Sequence, residues 1–167
     1  GRPELVPAKG IVEGLRRMKD PEELGLIERA IAISDAAFDR LESALRPDMT
    51  ELEVAEVFAA NVRAAGGEDI SFPTIVAAGP WSAMPHASPR PEVLGEGRPI
   101  VIDMGARFAG YCSDLTRTLA LGTPDAKFRA VYSIVFEAQA AAIERIEAGM
   151  KASDAHMLAQ GGIDRAG

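Results

Sequence analysis

The chain has 167 residues, a length sufficient for one ordinary domain with a buried core. Its composition, 47% hydrophobic and 26% charged, is typical of a globular protein and excludes a disordered one. The net charge of −7 argues against nucleic acid or an anionic membrane surface as the partner, and no apolar run approaches the roughly 20 residues of a membrane-spanning helix. We therefore expect neither a nucleic-acid nor a membrane partner.

Residues 1–19 differ in composition from the rest of the chain. Pro3, Pro7 and Gly10 precede a basic run, Arg16-Arg17-Met18-Lys19. Proline and glycine at this density interrupt helices and strands. We predict that residues 1–19 are a linker or the trailing end of a preceding segment.

The first predicted helix begins at Asp20-Pro21-Glu22-Glu23. Asp20 is a good N-cap, proline is tolerated at the first helical position, and Glu23 completes a capping box. Apolar residues then recur at spacings of three and four, with one polar interruption at Ser34, which predicts an amphipathic helix ending near Arg46-Pro47. The predicted buried stripe is Leu24, Ile27, Ile31, Ser34, Phe38, Leu41 and Leu45.

A second capping box, Thr50-Glu51-Leu52-Glu53, opens the next predicted helix. Gly66-Gly67 is the predicted end of this helix. Its predicted buried stripe is Leu52, Ala55, Phe58, Ala59 and Val62. Two capped helices followed by strands and then a further helix indicate an α+β fold rather than regular βαβ alternation.

The segment Phe72–Gly79 is predicted to be a strand, and a loop with three prolines, a tryptophan and His86 follows it. Loops stiffened by proline and set against a sheet often present functional side chains. The residues alone leave both a functional role and an ordinary surface or core role open for His86.

Two aspartates mark the segment Pro99–Leu121, which we predict to form two or three short strands. Asp103 ends the apolar run Ile100–Ile102, and Asp114 follows eleven positions later. Gly105 and Gly110 suit a tight reversal and a returning strand. An isolated buried carboxylate costs several kcal/mol unless a cation or a reacting group neutralises it. Two such carboxylates with an upstream histidine therefore indicate a hydrolytic site for hard divalent ions.

Cys112 is the only cysteine of the chain, which excludes an internal disulfide and favours a reducing, cytoplasmic compartment. We interpret it as a small buried thiol beside Tyr111 rather than as a catalytic group.

A third long helix is predicted to begin at Pro124-Asp125 and to stop near Gly149. Its predicted buried stripe is Phe128, Val131, Val135, Ala138 and Ala142. Ser153 is the predicted cap of a last helix, which Gly161-Gly162 would weaken by roughly 1 kcal/mol per glycine. His156 in this helix is interpreted as solvated.

Several strings of this sequence resemble the pita-bread metallopeptidases, and within them most closely the Xaa-Pro aminopeptidase and proline dipeptidase (prolidase) branch. The most specific is Gly110-Tyr-Cys-Ser-Asp114-Leu-Thr-Arg-Thr118, which follows Met84-Pro85-His86-Ala87 and Asp103-Met-Gly105. Weaker similarity extends over about residues 15 to 150, in the segments 15–23, 47–51, 71–75 and 138–142.

The resemblance implies an α+β, creatinase/aminopeptidase-like pita-bread fold, of which residues 20–167 would form the N-terminal half of the catalytic domain, with residues 1–19 linking it to an N-terminal domain outside the chain. Asp103 would ligate one metal ion and Asp114 would bridge both. His86 would contact the substrate or the tetrahedral intermediate, and Thr116 would support the bridging aspartate from outside. Phe72 and Ile75 would line the substrate pocket, and an ordinary core role is equally open for them.

The implied activity is hydrolysis of the bond before proline by a metal-bridged hydroxide. The implied cofactors are two divalent ions (Mn, Co or Zn), and the implied partners are a proline-containing peptide and a second copy in a homodimer. One His and two Glu ligands, with the general-base glutamate, would come from a downstream half. The alternatives are a non-catalytic pita-bread binding module, a methionine aminopeptidase-like enzyme and, more remotely, a creatinase-like enzyme. We also expect the isolated chain to self-associate through an uncovered apolar face.

Overall fold

Helices and strands follow one another in the order expected of an α+β chain. The computed structural model describes Pro3 and residues 9–167. The α-helices are α1 (Ile11–Arg17), α2 (Pro21–Ala44), α3 (Glu51–Ala64), α4 (Ala126–Arg145) and α5 (Ala152–Ala166). The strands are β1 (Asp69–Ile70), β2 (Ile75–Ala78), β3 (Ile100–Met104), β4 (Ala106–Phe108), β5 (Tyr111–Cys112) and β6 (Leu115–Leu119), and a 3-10 helix (Gly79–Ala83) follows β2.

Both predicted capping boxes are confirmed. At the start of α2 the backbone N–H of Glu23 donates to Oδ1 of Asp20 (2.9 Å), and the N–H of Asp20 donates to Oε2 of Glu23 (2.8 Å). At the start of α3 the N–H of Glu53 donates to Oγ1 of Thr50 (3.2 Å). Each box satisfies N–H groups that a helix cannot pair internally, so these two starts are fixed by local chemistry.

The predicted burial stripes are only partly correct. In α2 the buried residues are Ala30, Ile33, Ser34, Ala37, Phe38 and Leu41, and in α3 they are Glu51, Val54, Phe58 and Val62. Leu24, Ile31 and Leu52 are instead 50%, 45% and 44% exposed. The buried face of α2 carries Ala30 and Ala37 together with the larger Ile33, Phe38 and Leu41, and the exposed Leu24 and Ile31 lie outside it.

Six short strands form two antiparallel sheets of three strands each in the described residues, with the orders β2-β3-β6 and β1-β4-β5. The segment between Pro99 and Leu121 therefore contains four strands rather than two or three. The predicted strand 72–79 is shortened to β2. In the first sheet, Ile100, Ile102 and Met104 of β3 are fully buried against α2 and α3. Because side chains alternate along a strand, Val101 and Asp103 lie on the opposite, open face.

The hairpin between β4 and β5 turns through two residues with positive φ, Ala109 at 48° and Gly110 at 80°. Phe108 pairs with Tyr111, so this is a two-residue loop of the kind that prefers Asn-Gly. Alanine in a left-handed conformation costs about 1 kcal/mol.

We expect Ala109→Asn to raise the free energy of unfolding by up to about 1 kcal/mol, because asparagine tolerates the left-handed conformation. Ala109→Val should lower it, because a β-branched residue at positive φ is strained. Equilibrium urea unfolding measures both changes. Equal effects of the two variants would contradict this turn geometry.

Helices α4 and α5 pack against each other. Asp125 caps α4, its Oδ1 accepting from the N–H of Phe128 at 2.7 Å, and Ala138 and Ala142 are buried as predicted. Val131 and Val135 are 51% and 48% exposed, so their predicted burial is wrong. The periodicity identified the apolar stripe of α4 correctly, but burial also requires an element that covers it.

The glycines of α5 lie inside the helix rather than ending it. Gly162 packs against α4 so closely that an added Cβ would lie 3.0 Å from the Cβ of Ala138. The predicted cap Ser153 is wrong, because Lys151 occupies the N-cap position and Ser153 lies within the first turn. His156 is exposed, as predicted.

The predicted linker contains an exposed helix, α1, while residues 1–2 and 4–8 lie outside the described residues.

Cys112 is exposed, so its predicted burial is wrong. It pairs with the exposed Arg107 on an edge hairpin, and directly paired residues share a face of the sheet. Within the described part of the chain, no helix combines the length and apolar character needed to cross a membrane.

Candidate metal centre

Asp103 and Asp114 lie next to each other at one end of the β2-β3-β6 sheet. Asp103 is half-buried on the open face of β3, and Asp114 is exposed in the short connection between β5 and β6. The structure thus brings together the two residues in which the sequence predicted a metal site.

The sheet register determines what surrounds Asp103. Ile75 on β2 and Thr116 on β6 are its direct partners, so the three side chains form a row across the same face. The hydroxyl of Thr116 donates to Oδ1 of Asp103 at 2.8 Å. The sequence comparison placed Thr116 near Asp114, whereas its hydrogen bond is made to Asp103. This bond orients the carboxylate, as outer partners of metal ligands do.

The proximity of the two carboxylates has an electrostatic cost. Loss of water around the carboxyl group raises the pKa of Asp114, and the negative charge and hydrogen bonding of Asp103 raise it further. No lysine or arginine forms an ion pair with either aspartate within residues 9–167. Two like charges without a counterion favour a shared proton or a bound cation. Paired carboxylate oxygens suit hard divalent ions, so these residues fit a metal as two of its ligands.

The described residues supply only this pair. Among them, no group of three His, Cys, Asp or Glu side chains could hold a metal ion. His86 lies in an exposed turn, and its imidazole makes no hydrogen bond to the described part of the chain. Phe72 is half-buried in the bend before β2. Of the residues expected around the aspartates, Ile75 and Thr116 are the direct sheet partners of Asp103, and the His86 side chain makes no hydrogen bond to either aspartate.

A serine cluster, in which Ser34 and Ser113 are buried and Ser71 is half-buried, holds the backbone that precedes Asp114. Oγ of Ser113 accepts from the N–H of Ala106 at 2.9 Å and is hydrogen-bonded to Oγ of Ser34. Oγ of Ser71 donates to the carbonyl oxygen of Ser113 at 2.8 Å. One signal of this cluster is visible in the sequence, because Ser34 is the single polar residue in the predicted apolar stripe of α2. The hydrogen-bond partner of Ser34, Ser113, lies 79 positions away and was not predictable from local pattern.

Comparison with known proteins places this geometry in a family. The model of metallopeptidase family M24 matches residues 25–167. The solved Xaa-Pro dipeptidase from Bacillus anthracis has a TM-score of 0.95 and 38% identity, over 97% of this chain and 46% of that one. The X-Pro aminopeptidase from Thermotoga maritima has a TM-score of 0.91 and 38% identity, over 93% of this chain and 44% of that one.

Curated relatives agree with this assignment. The Xaa-Pro dipeptidase of Pyrococcus furiosus is 36% identical over 150 residues, which are 90% of this chain and 43% of the relative. The chain spans less than half the length of the curated relatives it matches. The predicted α+β pita-bread fold is confirmed, and the chain corresponds to the N-terminal half of that domain. The chain belongs to metallopeptidase family M24.

Proposed function

We propose that residues 20–167 form the first half of the catalytic domain of an exopeptidase that hydrolyses Xaa-Pro bonds with the help of two divalent ions. The observation that carries the proposal is the adjacent, uncompensated pair Asp103 and Asp114 on a sheet similar to those of Xaa-Pro dipeptidases. The proposal includes Mn, Co or Zn as the ions, a proline-containing peptide as substrate, a cytoplasmic homodimer, and residues 1–19 as the link to a preceding domain.

In this proposal Asp103 would hold one ion and Asp114 would serve as a ligand of both. When bound, the ions polarise the scissile carbonyl and lower the pKa of water. The hydroxyl of Thr116 donates to Oδ1 of Asp103, and the side chains of Asp103 and Asp114 are within hydrogen-bonding reach of each other, so a cation at this end of the sheet would meet carboxylate oxygens of both residues. In this proposal a downstream segment would supply the remaining ligands and the general-base glutamate. That segment corresponds to the part of the relatives that this chain does not span.

The substrate is contacted by other side chains in this proposal. His86 donates a hydrogen bond to the scissile group, which its exposed position allows. Ile75, next to Asp103 in the sheet, and Phe72, just before β2, supply an apolar wall for the substrate. Binding of a peptide by such a wall orients the scissile bond relative to the carboxylates.

A dipeptide cleavage assay on the complete gene product tests the proposal. With Mn²⁺ present, we expect hydrolysis of Ala-Pro and little hydrolysis of Met-Ala, and EDTA should abolish the activity. Preference for Met-Ala would indicate a methionine aminopeptidase-like enzyme. Tight peptide binding without cleavage at any metal concentration would indicate a non-catalytic binding module, and either result would overturn the proposal.

A further inference from the structure

Among the residues that the structure describes, Glu51 is the one charged side chain that is fully buried. It lies in the first turn of α3 and is 0% exposed. Glu53, two positions later, is exposed and serves the capping box. Burying a carboxylate carries a large desolvation penalty, so a buried glutamate requires a compensating set of donors.

Each carboxylate oxygen of Glu51 accepts two hydrogen bonds. Oε1 accepts from the backbone N–H of Ala78 (2.9 Å) and from an NH2 group of Arg90 (2.8 Å). Oε2 accepts from the backbone N–H of Arg90 (2.9 Å) and from its Nε (3.0 Å). Burial raises the pKa of Glu51, but the hydrogen bonds from Arg90 and Ala78 outweigh it and hold the pKa below its ordinary value. The carboxylate is therefore ionised and bidentately paired.

These donors lie at the two ends of one segment. Ala78 is the last residue of β2 and Arg90 follows twelve positions later, so Glu51 fastens both ends of residues 79–89, which include His86. The helix start binds the same stretch through its backbone, because the N–H of Leu52 donates to the carbonyl oxygen of Arg90 (3.3 Å). This bond satisfies an N–H group of the first turn that α3 leaves unpaired.

A second set of contacts closes the segment on itself. The Arg90 guanidinium lies over the Trp81 ring, 4.8 Å from its centroid. Nε1 of Trp81 donates to the carbonyl oxygen of Ser88 at 3.4 Å. Arg90 thus links the buried carboxylate to the aromatic ring, and Trp81 reaches across to the far side of the turn that holds His86.

We propose that Glu51 and Arg90 are positioning residues that fix the segment carrying His86. The consequence for catalysis rests on the role of His86 in the proposed function. The imidazole of His86 makes no hydrogen bond to the described residues, so the backbone of its segment determines where it lies. That backbone is held at both ends by a single carboxylate.

Hydrogen exchange on the complete gene product tests the anchoring. In Glu51→Gln the amide presents an NH2 group to donors, so we expect exchange of residues 79–89 to accelerate at least tenfold while α4 and α5 exchange as in the wild type. Glu92→Gln is the matched control, because Glu92 also approaches Arg90 (3.5 Å) but is 57% exposed and should leave exchange unchanged. Unchanged exchange in Glu51→Gln, or an equal rise throughout the chain, overturns the proposal.

Arg90→Lys is the second variant, for use if Glu51→Gln does not fold. Lysine keeps the positive charge but cannot form the bidentate pair. We expect the same local acceleration of exchange in residues 79–89, and wild-type exchange there would overturn the proposal.

A double-variant cycle with His86→Ala tests whether the anchor acts through His86. If it does, Glu51→Gln lowers kcat for Ala-Pro about tenfold or more in the wild-type background and has little further effect in His86→Ala. If Glu51→Gln instead lowers kcat by the same factor in both backgrounds, the claim that the anchor acts through His86 is overturned. If the wild-type protein cleaves no Xaa-Pro bond, the proposed function fails, and hydrogen exchange still decides whether Glu51 anchors the segment.

Discussion

Replacing Asp114 by asparagine is expected to weaken divalent-ion binding by the complete gene product more than about 100-fold. Loss of an outer partner of a metal ligand typically costs 10–100-fold, and Asp114 is proposed as a shared ligand itself. The same change removes one of two adjacent like charges, so the melting temperature of the metal-free protein should stay the same or rise. Titration calorimetry with Mn²⁺ and thermal unfolding in EDTA measure the two effects.

The control for this experiment is Asp35→Asn. Asp35 is exposed on α2, and its replacement makes the same change in net charge away from the sheet. We expect wild-type metal affinity in this variant. If Asp114→Asn bound Mn²⁺ as tightly as Asp35→Asn does, Asp114 would not be a ligand.

Replacing Gly105 by alanine is expected to lower the free energy of unfolding by about 3 kcal/mol or more. A Cβ at this position would overlap the carbonyl oxygen of Ser113 and the hydroxyl of Ser71, and would lie 2.9 Å from the carbonyl carbon of Ser113. Backbone atoms cannot move aside as the end of a flexible side chain can. Because Ser113 precedes Asp114, the variant should also lose metal affinity. Urea unfolding and calorimetry measure these changes.

Gly25→Ala provides a matched comparison for Gly105→Ala. Gly25 lies within α2, and an added Cβ would meet no atom within 4 Å. Alanine has the higher helix propensity, so this variant should gain about 1 kcal/mol. If Gly105→Ala left the free energy of unfolding unchanged or raised it, as Gly25→Ala is expected to do, the close approach of Gly105 to Ser113 would be refuted.

The sequence predicted best those features that depend on neighbouring residues. The starts of α2 and α3 were correct because a capping box is complete within four residues. The hairpin at Gly110 was indicated by glycine, although the left-handed conformation of Ala109 was not. Local chemistry thus determined where elements begin and turn.

Burial was predicted less well, because it depends on what packs against each face. The stripe of α4 was correct as a pattern, but Val131 and Val135 are exposed in the described structure. Ile31 and Leu52 were predicted to be buried for the same reason and are also exposed. The predicted self-association of the isolated chain through an apolar face stays a prediction.

In the candidate site, too, some residues were predictable from the local sequence and others were not. Asp103 and Asp114 were predictable because carboxylates at the ends of apolar strands contradict simple burial. The serine cluster left one trace, Ser34 in an apolar stripe. No sequence signal indicated the buried pair of Glu51 and Arg90. Glutamate is common in the first turn of a helix, and Arg90 lies 39 positions away.

The most direct test of the account is a crystal of the complete gene product grown with Mn²⁺ and measured for anomalous scattering. We expect anomalous peaks within about 2.5 Å of a carboxylate oxygen of Asp103 and of Asp114, with at least one peak shared by both residues. An absence of peaks at this end of the β2-β3-β6 sheet, or peaks bound only by other side chains, would contradict the assignment of these aspartates as metal ligands.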